Sequence, residues 1–196
     1  MGDEQMAFWK KIGDFFTGKS ADENKPKKTI VVVARDSNVP NQKQVDKMMD
    51  LSKILSEDSI VLDVEADTRE KVLKYLANFA QQLDNKIDSE AVYGKLLMRE
   101  NESSTALGKG IVMPHVQDES VTKLKMYVLK LQQPIIWDDQ KSTDVILALL
   151  GPDPEANYEH VPYMSTIARL LLRKDFIVTL KSASTKEIIF KLFENS

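Results

Sequence analysis

The chain carries two histidines, His115 and His160, and no cysteine. Thiolate chemistry is therefore absent. Imidazole becomes the side chain best suited to nucleophilic or proton chemistry near neutral pH, because its ordinary pKa of about 6.5 leaves a ring nitrogen with its lone pair. His115 follows the apolar piece Ile111–Met113 and Pro114, behind a loop bearing Gly108 and Gly110. His160 stands just before Pro162, a residue suited to the first turn of a helix. Taken alone, either ring could equally be an idle surface or helix-end histidine. The residues upstream of His115 widen the choice. Arg99 offers a permanently charged fork for phosphate oxygens. Ser103, Ser104 and Thr105 offer hydroxyl donors, and glycines at 108 and 110 let backbone N–H groups come close to an anion. Phosphoryl transfer asks mainly for such positioning and charge neutralisation. Each group also has a plainer reading: Arg99 as a helix-end cation, the hydroxyls as caps, the glycines as a turn. A zinc hydrolase fits poorly, since two histidines 45 residues apart without HExxH or cysteine make a weak ligand set.

The elements that must hold these residues can be read from periodicity. Ser59–Val64 is a strand candidate, and Asp67-Thr68-Arg69-Glu70 has a helix-capping pattern with Asp67 at the cap. Val72, Leu73, Leu76, Ala80 and Leu83 then share a helical face. A second helix is expected from Ser89 to about Glu100. Leu124–Leu131 and Pro134–Trp137 read as two strands and Asp144–Leu150 as a buried one. Gly151–Asn157 is a turn-forming loop, and a helix carrying Met164, Ile167, Ala168, Leu171 and Leu172 inward follows Pro162. Ser184-Thr185-Lys186-Glu187 is a second capping pattern, opening a helix that buries Ile188, Ile189, Leu192 and Phe193. Strands interleaved with helices indicate an α/β layered domain.

The residues before about position 50 have another texture. Phe8, Trp9, Ile12, Phe15 and Phe16 fall on one face of a short helix. A polar linker over 19–28, a β-branched run Thr29–Ala34 and helical spacing from Gln42 to Leu55 follow. Residues 6–16 could touch a membrane interface or a partner's groove. The balance of three acids and three lysines over residues 3–19 gives no cationic face for lipid, so a groove or the chain's own domain serves at least as well.

Composition narrows the classes. A content of 42% hydrophobic and 29% charged residues is that of a soluble globular protein. The net charge of −3 argues against nucleic acid as the main partner. No stretch approaches the apolar length needed to span a bilayer, and the acidic Met1-Gly2-Asp3-Glu4 start is unlike a signal peptide. Met6 stands where a myristoylation motif needs Ser or Thr. A cytoplasmic location is the expectation.

The order of the motif is more specific than its parts. Arg99-Glu100, the Ser104-Thr105 pair, Gly108-x-Gly110, an apolar triplet and Pro114-His115 resemble the signature of the enzyme IIA components of the fructose–mannitol class of bacterial sugar phosphotransferase systems. Glu159-His160 leading into Ile167–Leu171 is similar to that family's second histidine segment. The resemblance runs from about Leu51 to the C-terminus. It implies a mixed sheet flanked by helices on both faces over residues 51–196, with residues 1–50 as an N-terminal helical extension. It implies a phosphoryl group carried on Nε2 of His115, with Arg99 and His160 steadying it and no metal or organic cofactor. Ser103, Ser104, Thr105, Gly108 and Gly110 would bind phosphate, and Met113, Pro114 and Val116 would form an apolar docking surface. The implied partners are the histidine phosphocarrier protein and enzyme IIB and IIC components for sugar uptake. A nitrogen-type regulatory protein, whose phosphorylation state controls binding to other proteins, is the alternative. Two positions depart from the pattern: Val112, where the family often has a small residue, and Val116, where small or polar ones are familiar.

Overall fold

The computed structural model describes residues 48–138, 141–153 and 159–196. The readings made for residues before 48, including the aromatic helix over 6–16, lie outside the described residues. From Met48 onward a six-stranded mixed sheet stands between two layers of helix, as the resemblance implies. The strands are β1 (Ile60–Val64), β2 (Ala106–Gly108), β3 (Ile111–Val112), β4 (His115–Asp118), β5 (Lys125–Asp138) and β6 (Lys141–Pro152). The helices are α1 (Arg69–Leu83), α2 (Ser89–Glu102), α3 (His160–Leu170), α4 (Lys174–Ser182) and α5 (Lys186–Glu194).

Strand β6 is the spine. Its run Val145–Leu150 is buried throughout, because helices cover both faces and every side chain meets apolar neighbours. Val145, Leu147 and Leu149 face the layer of α3, α4 and α5, where Phe176 and Phe193 meet edge to face at 5.2 Å. Ile146, Ala148 and Leu150 face α1 and α2. One edge of β6 pairs antiparallel with β5, which in turn pairs parallel with β1. The other edge carries β3 and then β4, both parallel to it. Strand β2 folds back antiparallel on β3.

Several local expectations need correction. The two strands read over 124–137 are one strand, β5, whose ladder is irregular between Lys130 and Ile135. Pro134 has no N–H to give the ladder there, which is the break seen in the sequence. The cap of α1 is Thr68, whose hydroxyl accepts the N–H of Lys71, while Asp67 pairs with the ammonium of Lys71 instead. Thr185, not Ser184, caps α5, so the buried stripe shifts to Ile189 and Phe193 and leaves Ile188 exposed. Helical spacing up to Leu55 gives only a single 3₁₀ turn, Leu51–Lys53, among the described residues. The sequence reading passed over α4, β2 and β4.

The end of α2 is tied into the sheet by Glu100, only 3% exposed. Its carboxylate accepts the backbone N–H and hydroxyl of Thr105 and the indole N–H of Trp137 at 2.8 Å. Replacing it would strand three buried donors, each costing about 1–3 kcal/mol when left unpaired. Glu100→Ala is therefore expected to lower unfolding free energy by about 3 kcal/mol or more in urea titrations. Red-shifted Trp137 emission should accompany the loss, and an unchanged midpoint would show that Glu100 holds nothing together.

Candidate functional site

Strands β3 and β4 would be one strand but for Met113-Pro114. The residue before a proline is held extended, and Met113 donates its N–H back to the Thr105 carbonyl at 3.0 Å. Pro114 has no N–H to donate, but its carbonyl accepts the N–H of Leu149, so the ladder to β6 resumes at once. His115 then pairs in register with Leu149. Strand alternation places His115 and Gln117 on the α3 side, and Val116 and Asp118 on the α2 side.

A cleft of about 270 Å³ opens along this strand, lined in part by Lys95, Arg99, His115, Gln117 and His160. His160 is the first residue of α3, and its ring lies nearly parallel to that of His115, centroids 6.4 Å apart and 22° between planes. The N-terminus of α3 therefore ends on the cleft, an end that favours negative charge. From the other side α2 brings Lys95 and Arg99, four residues apart and so on one helical face. The guanidinium of Arg99 donates to the Ser103 carbonyl at 3.0 Å, closing the last turn of its own helix. Lys95 sits 3.0 Å from Asp118 and 3.5 Å from Asp153, and donates to the Gln117 carbonyl at 3.1 Å. Its hydrogen bond to Asp118 pushes its pKa up, so it stays cationic.

The ring of His115 is fixed by a 3.0 Å hydrogen bond between Nδ1 and the Met113 carbonyl. A carbonyl only accepts, so Nδ1 carries the proton and Nε2 carries the lone pair in the neutral ring. Burial pushes the pKa of His115 down to about 3, and the charges of Arg99 and His160 act in the same direction, against the Met113 carbonyl. The imidazole is therefore neutral across the physiological range.

The structure brings Arg99, His115 and His160 together at the cleft, with Val116 on its wall. Ser103, Ser104, Thr105, Gly108 and Gly110 are not among the residues lining the cleft. Thr105 is 1% exposed and bound to Glu100, while Ser104 accepts the N–H of Ala106. Gly108 and Gly110 serve the β2–β3 hairpin, whose central residues Lys109 and Gly110 both have positive φ, 55° and 77°. A side chain at Gly110 would also strike Lys181 and Asp144, which form an ion pair at 2.8 Å. Met113 and Pro114 are buried and cannot form a docking surface. Val116 is half-buried, packs on the α1–α2 core and reaches the cleft. Met98, next to Arg99 in the chain, is 65% exposed. Lys95 and Gln117 were missed. The spacings 95/99 on a helix and 115/117 on a strand would have found them had β4 been read as a strand.

Among the described residues no group of histidine and carboxylate side chains could hold a metal ion, and no helix is long and apolar enough to cross a membrane.

The family model described as phosphoenolpyruvate-dependent sugar phosphotransferase system, EIIA 2, matches residues 53–196. A nitrogen regulatory protein of Pseudomonas aeruginosa is 29% identical over 147 residues, covering 74% of this chain and 95% of that protein. A PTS system fructose-specific EIIA component of Haloferax volcanii is 27% identical over 142 residues, covering 71% and 92%. The crystal structure of nitrogen regulatory protein IIA-Ntr from Neisseria meningitidis superposes with a TM-score of 0.66 at 25% identity, covering 72% of this chain and 97% of that one.

The low pKa of His115 can be checked directly. Its ring is expected not to titrate between about pH 8 and pH 5 in histidine NMR, whereas an exposed histidine would pass its midpoint near 6.5. Because the unfolded chain takes up this proton near 6.5 and the folded one only near 3, its contribution to stability is full above 6.5. That contribution is lost as pH falls toward 3. His115→Ala should flatten that part of the stability profile.

Proposed function

The chain belongs to the EIIA 2 family of the phosphoenolpyruvate-dependent sugar phosphotransferase system, and from that premise we propose that it is a phosphoryl carrier whose accepting atom is Nε2 of His115. One observation carries this reading: the Nδ1–Met113 hydrogen bond, which puts the lone pair on Nε2 in a cleft flanked by Arg99 and Lys95. In the step, the Nε2 lone pair forms the new N–P bond while the donor's N–P bond breaks. Its electron pair stays on the donor nitrogen. The His115 ring becomes an imidazolium, and the Met113 carbonyl accepting from Nδ1–H stabilises that charge. Arg99 neutralises the oxygens of the moving group, and the N-terminus of α3 adds its own partial positive charge.

The donor in this reading is the histidine phosphocarrier protein, and the recipient is a IIB component working with a membrane IIC component, so that the relay feeds sugar uptake. The sugar-specific relative supports that destination. A second reading is favoured by the similarity to a nitrogen regulatory protein over 95% of that protein. There the phosphoryl group stays on His115 and alters binding to other proteins, since it adds about −1.5 to −2 of charge to the cleft.

Incubation with phosphoenolpyruvate, enzyme I and the phosphocarrier is expected to give an acid-labile, base-stable label absent from His115→Ala. Label on His160 in that variant would overturn the assignment. Passage of the label to a IIB component supports uptake, and its retention supports the regulatory reading. Arg99→Ala should slow labelling by about tenfold to a hundredfold, the loss of one charged hydrogen bond. Circular dichroism should stay near that of the parent, and an unfolded variant would mark Arg99 as structural.

A further inference from the structure

The two rings of the cleft carry opposite faces of the same chemistry. Nδ1 of His115 lies against a carbonyl and must donate. Nδ1 of His160 lies 3.3 Å from the amide nitrogen of Gln117, a group that has only hydrogens to give. Nδ1 of His160 therefore accepts, and the proton of its neutral ring sits on Nε2. Resting on the carrier reading above, we propose that Gln117 is a positioning residue that fixes His160 as an Nε2–H donor, so that of the two rings only His115 offers a nucleophilic Nε2 lone pair.

Three features of the fold put Gln117 in this position. It stands two residues after His115 on β4, so both side chains leave the sheet toward α3. Lys95 holds its backbone carbonyl from α2. His160 opens α3, so its ring is presented to that strand from the helix end. The chemical need is plain. With the rings nearly parallel and 6.4 Å apart, a second lone pair on Nε2 of His160 would repel the phosphoryl oxygens and compete as an acceptor. An N–H at that atom donates to those oxygens instead and leaves one ring to react.

Gln117 has no counterpart in the ordered Arg-Glu, Ser-Thr, Gly-x-Gly, Pro-His signature, and nothing about its residue type marks it in the sequence. A residue that merely fills the edge of β4 would not influence where a proton sits on a ring in α3. The test reads that proton. Long-range ¹H–¹⁵N NMR on the full, unphosphorylated chain labelled in histidine should show His160 protonated on Nε2 and His115 protonated on Nδ1. In Gln117→Glu the carboxylate can only accept, so Nδ1 of His160 should become protonated and labelling of His115 should slow by about tenfold or more. In Gln117→Lys the ammonium can only donate, so the Nε2–H form should return and labelling should recover in part. Parent protein with His160 protonated on Nδ1 overturns the proposal, even if neither variant folds. So does Gln117→Glu that keeps the proton on Nε2 alone. Parent protein with both protons as assigned, but with no label from the phosphocarrier, overturns the carrier reading and leaves the role of Gln117 in setting the tautomer standing.

Discussion

Pro114 sits where two strands would otherwise run as one along β6. It lacks an N–H, and it holds Met113 extended, so the chain turns its donors away for one residue and then rejoins the same neighbour at His115. Everything in the cleft depends on that interruption. The Met113 carbonyl is left pointing at the Nδ1 of a ring only two residues on, and the ring is fixed before any ligand arrives. An uninterrupted strand would have committed that carbonyl to a neighbouring ladder. Such pre-positioning is what phosphoryl transfer asks of a protein, because there is little covalent work beyond holding atoms in line.

The electrostatics follow from burial and helix ends more than from the number of charges. Burial, ahead of the neighbouring charges of Arg99 and His160, keeps His115 from protonating. One of the two nearby cations, Lys95, is already matched by Asp118 and Asp153. The other, Arg99, closes the last turn of α2 through Ser103. Both are held in place by bonds to the protein itself, which lowers the entropy lost when they meet an anion. The chain as a whole is acidic, so the placing of Arg99 and Lys95 beside His115 is a local arrangement of elements and not a property of composition.

The layered α/β architecture was legible because long periodic segments such as Val72–Leu83 and Val145–Leu150 leave little choice of partner. Arg99, His115 and His160 were also legible, through the order of the motif and their chemistry. The hydroxyls and glycines between them do not line the cleft, because a motif records proximity in sequence, not destination. Thr105 turns inward to Glu100, whose carboxylate also accepts from Trp137, a partner 37 residues beyond it that no local pattern announces. The glycines answer a backbone need, positive φ in a two-residue hairpin turn, and not a ligand's. Gln117 and Lys95 escaped for the opposite reason. Their side chains are ordinary, and only the tertiary placement of β4 between α2 and α3 gives them a task.

The bond from Lys95 to the Gln117 carbonyl has a meaning for solubility as well. Among the described residues β4 pairs with β6 alone, so among them its outer side is a sheet edge, the kind of surface on which foreign strands template themselves. A four-residue strand that begins after a proline, with a lysine already occupying one of its outward carbonyls, offers an incoming chain almost no ladder to extend. The cleft can thus stay accessible to a folded partner while resisting capture by an unfolded one.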